Sequence, residues 1–532
     1  MTTPVKRKRG EGQWKLGHRE PLNPNERTKK DDDGLNVRAR IENIYAKRGF
    51  DSIDPADLRG RMRWWGLYTQ RKPGIDGGRT AVLEPEELDD RYFMLRVRID
   101  GGALTTSQLR TLGEISHTHA RDTADITDRQ NIQYHWIDIV DMPAIWQRLE
   151  AEDMRTTEAC GDTPRVILGS PVAGIAADDE IDPQPAIDTI LERWIGNPEF
   201  SNLPRKFKTA ISWQQDVAHE VNDVSFVGVV HPEHGPGFDV WVGGGLSTNP
   251  KIAQRLGAWI PLAEIPDVWC GIVSIFRDYG YRRLRHRARI KFLVTDWGPA
   301  EFRRVLEEEY LGRALHDGPA PAIPAVPIDH IGVHKQRDGR NYVGVAPASG
   351  RVRLTPQQKV VVLDVPDAAV DQLTRELADI GLQAEPSPWR RATMACTGIE
   401  FCKLAIVETK ERAIRLVDDL EKRLADVYPG APISIHLNGC PNACARTQVA
   451  DIGLKGMIVT DREGNQVEGF QVHLGGGLGL DAGFGRKLRG LKVTSADLGE
   501  YVERVVRRFV EQRTEDERFA QWVMRADEAD LK

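Results

Sequence analysis

Four of the six cysteines in this 532-residue chain stand close together, late in the sequence. They occur as Ala395-Cys396-Thr-Gly-Ile-Glu-Phe-Cys402 and Asn438-Gly-Cys440-Pro-Asn-Ala-Cys444-Ala445. Five residues separate the first two, three separate the second two, and 37 lie between the pairs. The small residues around Cys440 bury little area, but they let the backbone come close to an inorganic cluster, and Pro441 stiffens the loop. Four thiolates are the ligand set of a [4Fe–4S] cluster. Zinc ligands usually come in tighter pairs, so the five-residue gap argues against zinc. Two structural cysteine pairs are the plain alternative.

A second set of residues is cationic. Lys206 and Lys208 are two apart in Leu203-Pro-Arg-Lys-Phe-Lys208, so on an extended segment both ammonium groups point the same way. Like charges repel unless an anion sits between them, which points to an anion site. In Phe93-Met-Leu-Arg-Val-Arg-Ile99 the period-two pattern puts Phe93, Leu95, Val97 and Ile99 on one face and Arg96 with Arg98 on the other. Arg129, Gln133 and His135 share a face if that segment is extended from Arg129; a solvated strand face is the bland reading. The turn-rich stretch from Cys160 to Pro171 carries Arg165.

The elements that must position these residues are organised by an internal repeat. Gly237-Phe-Asp-Val-Trp-Val-Gly-Gly-Gly-Leu-Ser247 recurs as Gly469-Phe-Gln-Val-His-Leu-Gly-Gly-Gly-Leu-Gly479, identical at seven of eleven positions. Lys208 lies 35 residues before Gly243, and Cys440 lies 35 residues before Gly475, so the spacing pairs the lysines with the second cysteine pair. A weaker echo relates Gly102–Leu109 to Gly350–Gln358. The offset of 232 is too long for a solenoid and fits a duplicated two-domain unit.

Composition is that of an ordinary globular chain, with 40% hydrophobic and 29% charged residues. The net charge of −6 does not suggest nucleic acid as a partner, and no apolar run approaches a membrane span. The basic N-terminus lacks a following hydrophobic stretch, so it is not a secretory signal. Six cysteines in such a length are no disulfide scaffold, which suggests a reducing cytoplasm. Residues 1 to about 50 read as a charged extended arm, either mobile or laid over another domain, residues 281–291 as an exposed or capping basic helix, residues 318–327 as a linker, and the stretch from Ser495 as one closing helix.

Taken together, the cysteine quartet, the duplicated Gly-Gly-Gly-Leu segments, Phe-Met-Leu-Arg-Val-Arg with Gly-Gly, and Leu-Pro-Arg-Lys-Phe-Lys resemble the sulfite/nitrite reductase family. That family uses sirohaem and a [4Fe–4S] cluster. The resemblance runs from about Arg61 to near the C-terminus. It implies an α+β fold, a duplicated pseudo-two-fold unit of ferredoxin-like and larger α/β sirohaem-binding domains. The expected boundaries are an N-terminal arm and aromatic loop (1–80), a first ferredoxin-like domain (81–155), a sirohaem and anion-binding α/β domain (156–325), a second ferredoxin-like domain (326–392) and a [4Fe–4S]/sirohaem α/β domain (393–532).

By the same resemblance Cys396, Cys402, Cys440 and Cys444 hold the cluster, and Cys444 bridges to the sirohaem iron. Arg96, Arg165, Lys206 and Lys208 take the substrate oxyanion, and Arg129, Gln133 and His135 contact sirohaem. Lys-x-Lys leans toward sulfite over nitrite, while Ala395-Cys396-Thr397-Gly398 with Phe401-Cys402 resembles the nitrite type. Both substrates stay open, with sulfite preferred. Some sulfite members carry a tyrosine–cysteine thioether, for which Tyr68 and Cys160 are the candidates; a packed tyrosine and a buried free thiol are the alternative. The chain has no nucleotide-binding Gly-x-Gly-x-x-Gly after a strand and too few spare cysteines for a second cluster. The electron donor is therefore expected to be external, and the resemblance implies reduced ferredoxin, docking on the arm or the 281–291 segment of a monomer.

Overall fold

Phe207 and Ile211 point to one side of the strand Phe207–Ser212, and Lys208 and Ala210 to the other. On the apolar side Phe207 packs against Trp269 and Phe276 of the helix Ile265–Tyr279, with ring centroids 6.2 and 5.7 Å apart. That burial, continued by Phe226, Phe238, Val240 and the helix Ile290–Val305, forms a large core. The sheet above it runs Pro164–Gly169, Phe207–Ser212 and Val224–His231 in parallel, then Gly235–Val242 and Gln254–Ile260 antiparallel.

The computed structural model describes residues 22–324, 328–345 and 352–532. The chain forms two units: one draws on the chain up to Thr69, Arg91–Gly245 and Lys251–Arg375, the other on Gln70–Asp90, Leu246–Pro250 and Glu376–Lys532. The second unit repeats the large sheet in the same order and directions. Thr393–Ala395, Ile435–Asn438 and Ile452–Thr460 are parallel, and Gln466–Leu474 and Arg486–Thr494 follow antiparallel. Its core gathers Leu416, Val417 and Leu420 of the helix Lys410–Arg423 with Val502, Val505 and Phe509 of Leu498–Gln512.

The repeat holds at the level of single backbone bonds. Gly243 N–H donates to Asp223 O at 2.9 Å and Gly475 N–H to Asp451 O at 2.8 Å; Ala253 reaches Glu220 O and Gly485 reaches Gln448 O, both at 2.8 Å. Ala218 and Arg446, equivalent non-glycine residues, both take positive φ, 51° and 57°. The register corrects one expectation, however. Lys208 lies near the start of its strand, where Thr209 pairs with Val224, whereas Cys440 follows the end of Ile435–Asn438, where Ile435 pairs with Ile452. The two therefore mark opposite ends of equivalent strands. Their equal spacing to the triple glycine arises because the second half is longer both in the connection, where Thr209 pairs with Val224 but Ile435 with Ile452, and in the hairpin, where Val224 pairs with Val242 but Ile452 with Leu474.

Two smaller antiparallel sheets belong to the first unit. In one, Asp89–Val97 pairs with Ile132–Ile137, which pairs with Asp125–Ile126, flanked by the helices Thr106–His119 and Met142–Glu150. The other runs Gly332–Lys335, Asn341–Val345, Val360–Val365 and Val352–Leu354, and ends on Ala103–Leu104. The two echo segments thus pair directly, Leu104 with Val352, although Gly350 falls outside the described residues.

Three segments differ from their sequence reading. Residues from Leu22 onward are not an extended arm. Asn23 caps the helix Pro24–Asp31, and Val37, Ile41 and Tyr45 are buried. The charge that suggested exposure is instead paired inside: Lys29 contacts Glu26 at 2.5 Å and Asp162 at 3.2 Å, and its ammonium donates to Leu203 O at 2.8 Å. Residues 281–291 hold only a short turn, Arg285–Arg287, before the helix Ile290–Val305. Arg282 is fully buried against Glu26 and Asn202, and Arg285 and Arg289 pair with Asp162 and Asp223. The closing stretch is three helices, Leu498–Gln512, Phe519–Arg525 and Glu528–Leu531. Among the described residues, no helix is long and apolar enough to cross a membrane.

Candidate active site

In the first unit Lys208 and Arg165, two of the sequence-selected cations, act on Lys206. Burial lowers the pKa of this ammonium well below the usual lysine range, and Lys208, Arg289, Arg165 and Arg205 push it further down, in that order. Lys206 keeps some accessible surface although protein surrounds it on most sides, as a residue lining a recess does. Arg205 is itself lowered to about 10 by burial and by Arg285. Arg165 is aimed by the turn it belongs to: its Nε and Nη2 donate to Gly161 O at 3.1 and 2.8 Å, and Nη1 to Ala159 O at 3.3 Å. These five cations, Arg165 steadied by backbone carbonyls and Arg289 and Arg205 by the carboxylates of Asp223 and Asp162, make an electrostatic trap for a small oxyanion.

Arg96 adjoins Cys160 and Gln133. Its Nη1 donates to Cys160 Sγ at 3.3 Å and its Nη2 to Gln133 Oε1 at 2.6 Å, with Arg96 and Gln133 directly opposite on paired strands. Arg98, expected beside Arg96, is buried instead; it pairs with Asp100 at 2.9 Å and donates to the carbonyls of Glu158, Pro164 and Arg165. Arg129 donates to Asn222 Oδ1 at 2.7 Å and to Val166 O at 2.8 Å, which ties it to the large sheet. His135 is buried beside Asp125, its Nε2 3.0 Å from Oδ2. Tyr68 lies on the strand Leu67–Arg71 under the Arg63 guanidinium, 5.4 Å from the ring centre. Its segment meets the Cys160 turn: Glu158 N–H donates to Trp64 O, and a Cβ on Gly66 would lie 3.5 Å from that of Ala159. Cys160 is a buried free thiol.

In the second unit the four cysteines follow the ends of two parallel strands. Cys396 comes just after Thr393–Ala395, and its N–H donates to Leu437 O at 3.0 Å. Gly439 N–H, beyond the end of Ile435–Asn438, donates to Cys396 Sγ at 3.2 Å. The intervening turn needs Gly398 at φ 74°, and Ala443 takes φ 54° just before Cys444. Burial pushes the Cys396 and Cys440 thiols up to about 12, and Cys444 adds to each, so the sulfurs form one group. Cys444 alone among the four is exposed. Arg71 braces the first cysteine loop: its N–H donates to Phe401 O at 2.8 Å and its guanidinium to Ala405 O at 3.3 Å.

The donor set fits a four-iron cluster. Crowded and mostly buried thiols hold their protons, and an iron cluster supplies the positive charge that makes them thiolates. Among the described residues no three His, Cys, Asp or Glu side chains converge tightly enough for a single ion. A cluster with one thiolate per iron needs no such convergence. Asn438 Oδ1 accepts Ala445 N–H at 2.6 Å, but its buried Nδ2 and the buried Thr447 Oγ1 have no hydrogen-bond partner among the described residues. Orphaned polar atoms flanking the Cys440–Cys444 loop are what a bound group with acceptor atoms would satisfy.

Sequence reasoning missed Arg205, Arg289, Asn438 and Arg71 as site-supporting residues. Arg205 and Asn438 lie inside the quoted motifs and could have been included. Arg289 lay within a segment read as a helix, and its burial depends on Asp223, 66 positions away.

Residues 160–315 and 388–532 match the family model described as the nitrite and sulphite reductase 4Fe-4S domain. Residues 86–152 match the nitrite/sulfite reductase ferredoxin-like half domain. Similar proteins include sulfite reductase [ferredoxin] 2 of Mycolicibacterium paratuberculosis, 63% identical over 98% of both chains. Sulfite reductase [ferredoxin] of Mycobacterium tuberculosis is 61% identical over 98% of both. Ferredoxin–nitrite reductase of Synechococcus elongatus is 35% identical, covering 88% of this chain and 93% of the relative. The solved structure of the Mycobacterium tuberculosis NirA protein matches with a TM-score of 0.95 at 60% identity, over 98% of this chain and all of that one.

Proposed function

The chain belongs to the nitrite and sulphite reductase family, and from that premise we propose that it is a ferredoxin-dependent assimilatory sulfite reductase, reducing sulfite to sulfide by six electrons. The observation that carries the substrate class is the cation group around Lys206, in a chain that also bears the four-thiol group. Sulfite rather than nitrite is favoured because relatives named as sulfite reductases are 59–63% identical, whereas those named as nitrite reductases are 33–35% identical. Lys208 agrees, since a second lysine suits a doubly charged anion.

When bound, sirohaem coupled to the [4Fe–4S] cluster supplies electrons to the substrate. In this reading Cys396, Cys402, Cys440 and Cys444 would hold the cluster, and Cys444, the exposed thiol, would couple it to the sirohaem. Arg96, Arg165, Lys206 and Lys208 hold the oxyanion and keep it charge-neutralised. Lys206, its ammonium made more acidic by burial and its neighbours, donates protons as oxygen leaves as water. Gln133 orients Arg96 from the opposite strand, and Arg129 and His135 stiffen the wall that sirohaem carboxylates contact. We also assign Tyr68 and Cys160 a thioether: a ring C–H and the S–H are lost, a C–S bond forms, and the two electrons and two protons pass to a two-electron oxidant such as dioxygen. The working form is a cytoplasmic monomer that takes electrons from reduced ferredoxin.

Steady-state turnover with sulfite and nitrite side by side, driven by reduced ferredoxin, tests the proposal. Higher kcat/KM for sulfite is expected, and a preference for nitrite would overturn the sulfite assignment. Purified protein carrying iron but no tetrapyrrole absorption would end the reductase reading. Intact mass tests the cross-link: two hydrogens are missing if it forms, and a freely alkylated Cys160 rejects it.

A further inference from the structure

Residues 201–206 lead into the strand Phe207–Ser212 outside any helix or strand, so their backbone groups must find partners elsewhere. Four successive carbonyls find them on side chains. Ser201 O accepts from Trp64 Nε1 at 2.7 Å and Asn202 O from Arg282 Nη2 at 2.8 Å. Leu203 O accepts from Lys29 Nζ at 2.8 Å and Pro204 O from Arg285 Nη1 at 3.3 Å. Leu203 N–H and Phe207 N–H complete the hold, donating to Asp162 O at 2.9 Å and Thr163 O at 3.0 Å. The path of Arg205 and Lys206 is thus set by side chains 80 to 174 positions away.

Two buried carboxylates bind these donors to one another. Glu26 meets Lys29 at 2.5 Å and Arg282 at 3.2 Å. Asp162 meets Lys29 at 3.2 Å, Arg285 at 2.9 Å and Arg205 at 3.7 Å. Lys29, on the helix Pro24–Asp31, is buried and touches both carboxylates and the carbonyl three residues before Lys206. Asp162 also belongs to the turn that carries Arg165, whose guanidinium donates to Gly161 O at 2.8 Å. One ammonium therefore reaches both cation-bearing segments. Were it lost, Leu203 O would have no donor and each carboxylate would lack one cation.

We propose that Lys29 is a positioning residue of the anion site, holding Arg205 and Lys206 in place through Leu203 O and Asp162. This rests on the sulfite reductase reading. Lys29 shares Asp162 with Arg205, whose ion pair is long. Without Lys29 the carboxylate would draw Arg205 toward itself and away from an incoming anion, while the backbone ahead of Lys206 would loosen. The helix Pro24–Asp31 is thereby part of the substrate-binding apparatus.

The test compares wild-type holoenzyme with Lys29→Met, Arg205→Gln, their double variant and Arg40→Gln. Arg40 pairs with Asp57 and Asp32 in the same N-terminal segment and, among the described residues, has no bond to residues 201–206. It therefore reports plain destabilisation. The readouts are kcat and KM for sulfite with reduced viologen as donor, melting temperature, and deuterium exchange of the peptide spanning residues 201–208. Lys29→Met should raise KM about tenfold, with a smaller change in kcat, and quicken exchange in that peptide. Arg40→Gln should lower the melting temperature and leave KM unchanged. The double variant should raise KM by less than the product of the single effects, because both act on the same cations. If Lys29→Met does not assemble, Asp162→Asn takes its place, with the same rise expected. An unchanged KM, an equal rise in Arg40→Gln, or effects that multiply would overturn the inference. Wild-type protein that turns over neither sulfite nor nitrite would sink the reductase reading, while exchange would still judge the hold on residues 201–206.

Discussion

At the scale of single residues, the gathering of the four cysteines into one group was readable because they lie in two short, closely spaced motifs. Cys444 is the sharpest case. Its exposure means that Cys444→Ser removes a ligand without opening a core, so circular dichroism and melting of the cofactor-free chain should hardly change. Turnover with any donor should fall to background; retained activity would remove the bridging role proposed for Cys444. Lys208→Asn removes one cation from the group and should lower kcat/KM for sulfite at least tenfold, about 1.4 kcal/mol, with nitrite affected less. Side-by-side kinetics of the two anions check it. What the sequence hid at this scale was pairing. Arg282, Arg285 and Arg289 read as a surface run because nothing local announces Glu26, Asp162 and Asp223, their distant partners.

At the scale of elements, the glycine repeat pointed correctly to a duplicated sheet, since backbone that must pass close to other backbone leaves a strong compositional mark. A Cβ on Gly244 would lie 2.4 Å from Glu220 O and 2.6 Å from Asn222 O, and one on Gly476 would lie 2.4 Å from Gln448 O. Gly244→Ala should cost about 3 kcal/mol through forced backbone movement. Gly113, in the middle of the helix Thr106–His119, has open space at its Cβ, so Gly113→Ala should stabilise by about 0.5–1 kcal/mol. Chemical denaturation of the two variants gives the comparison, and equal effects would remove the close-approach argument. The match of lysines to cysteines misled because residue counting cannot see a lengthened connection and hairpin; only strand register can. The early helices were missed for a related reason. Their charge looked like solvent exposure, yet Lys29 and Glu26 are buried as a pair.

At the scale of the whole molecule, buried charge ties stability to pH. Burial raises the Glu158 carboxyl to about 8, so it stays protonated in the folded state where the unfolded chain would be ionised. A raised carboxyl contributes its stability fully below the unfolded value, near 4.5, and loses it as pH rises toward 8. Melting temperature should therefore decline across that window, and Glu158→Gln should flatten the decline; an unchanged slope would place the titration elsewhere. The unequal exposure of the four thiols has a consequence for biogenesis. Before iron arrives, Cys440 is buried and Cys396 and Cys402 are partly covered, while Cys444 stands open to solvent. An iron–sulfur donor approaching the newly folded chain would meet Cys444 first and exchange ligands inward from there. Brief alkylation of the cofactor-free protein should accordingly mark Cys444 ahead of the other three and block maturation at its first step.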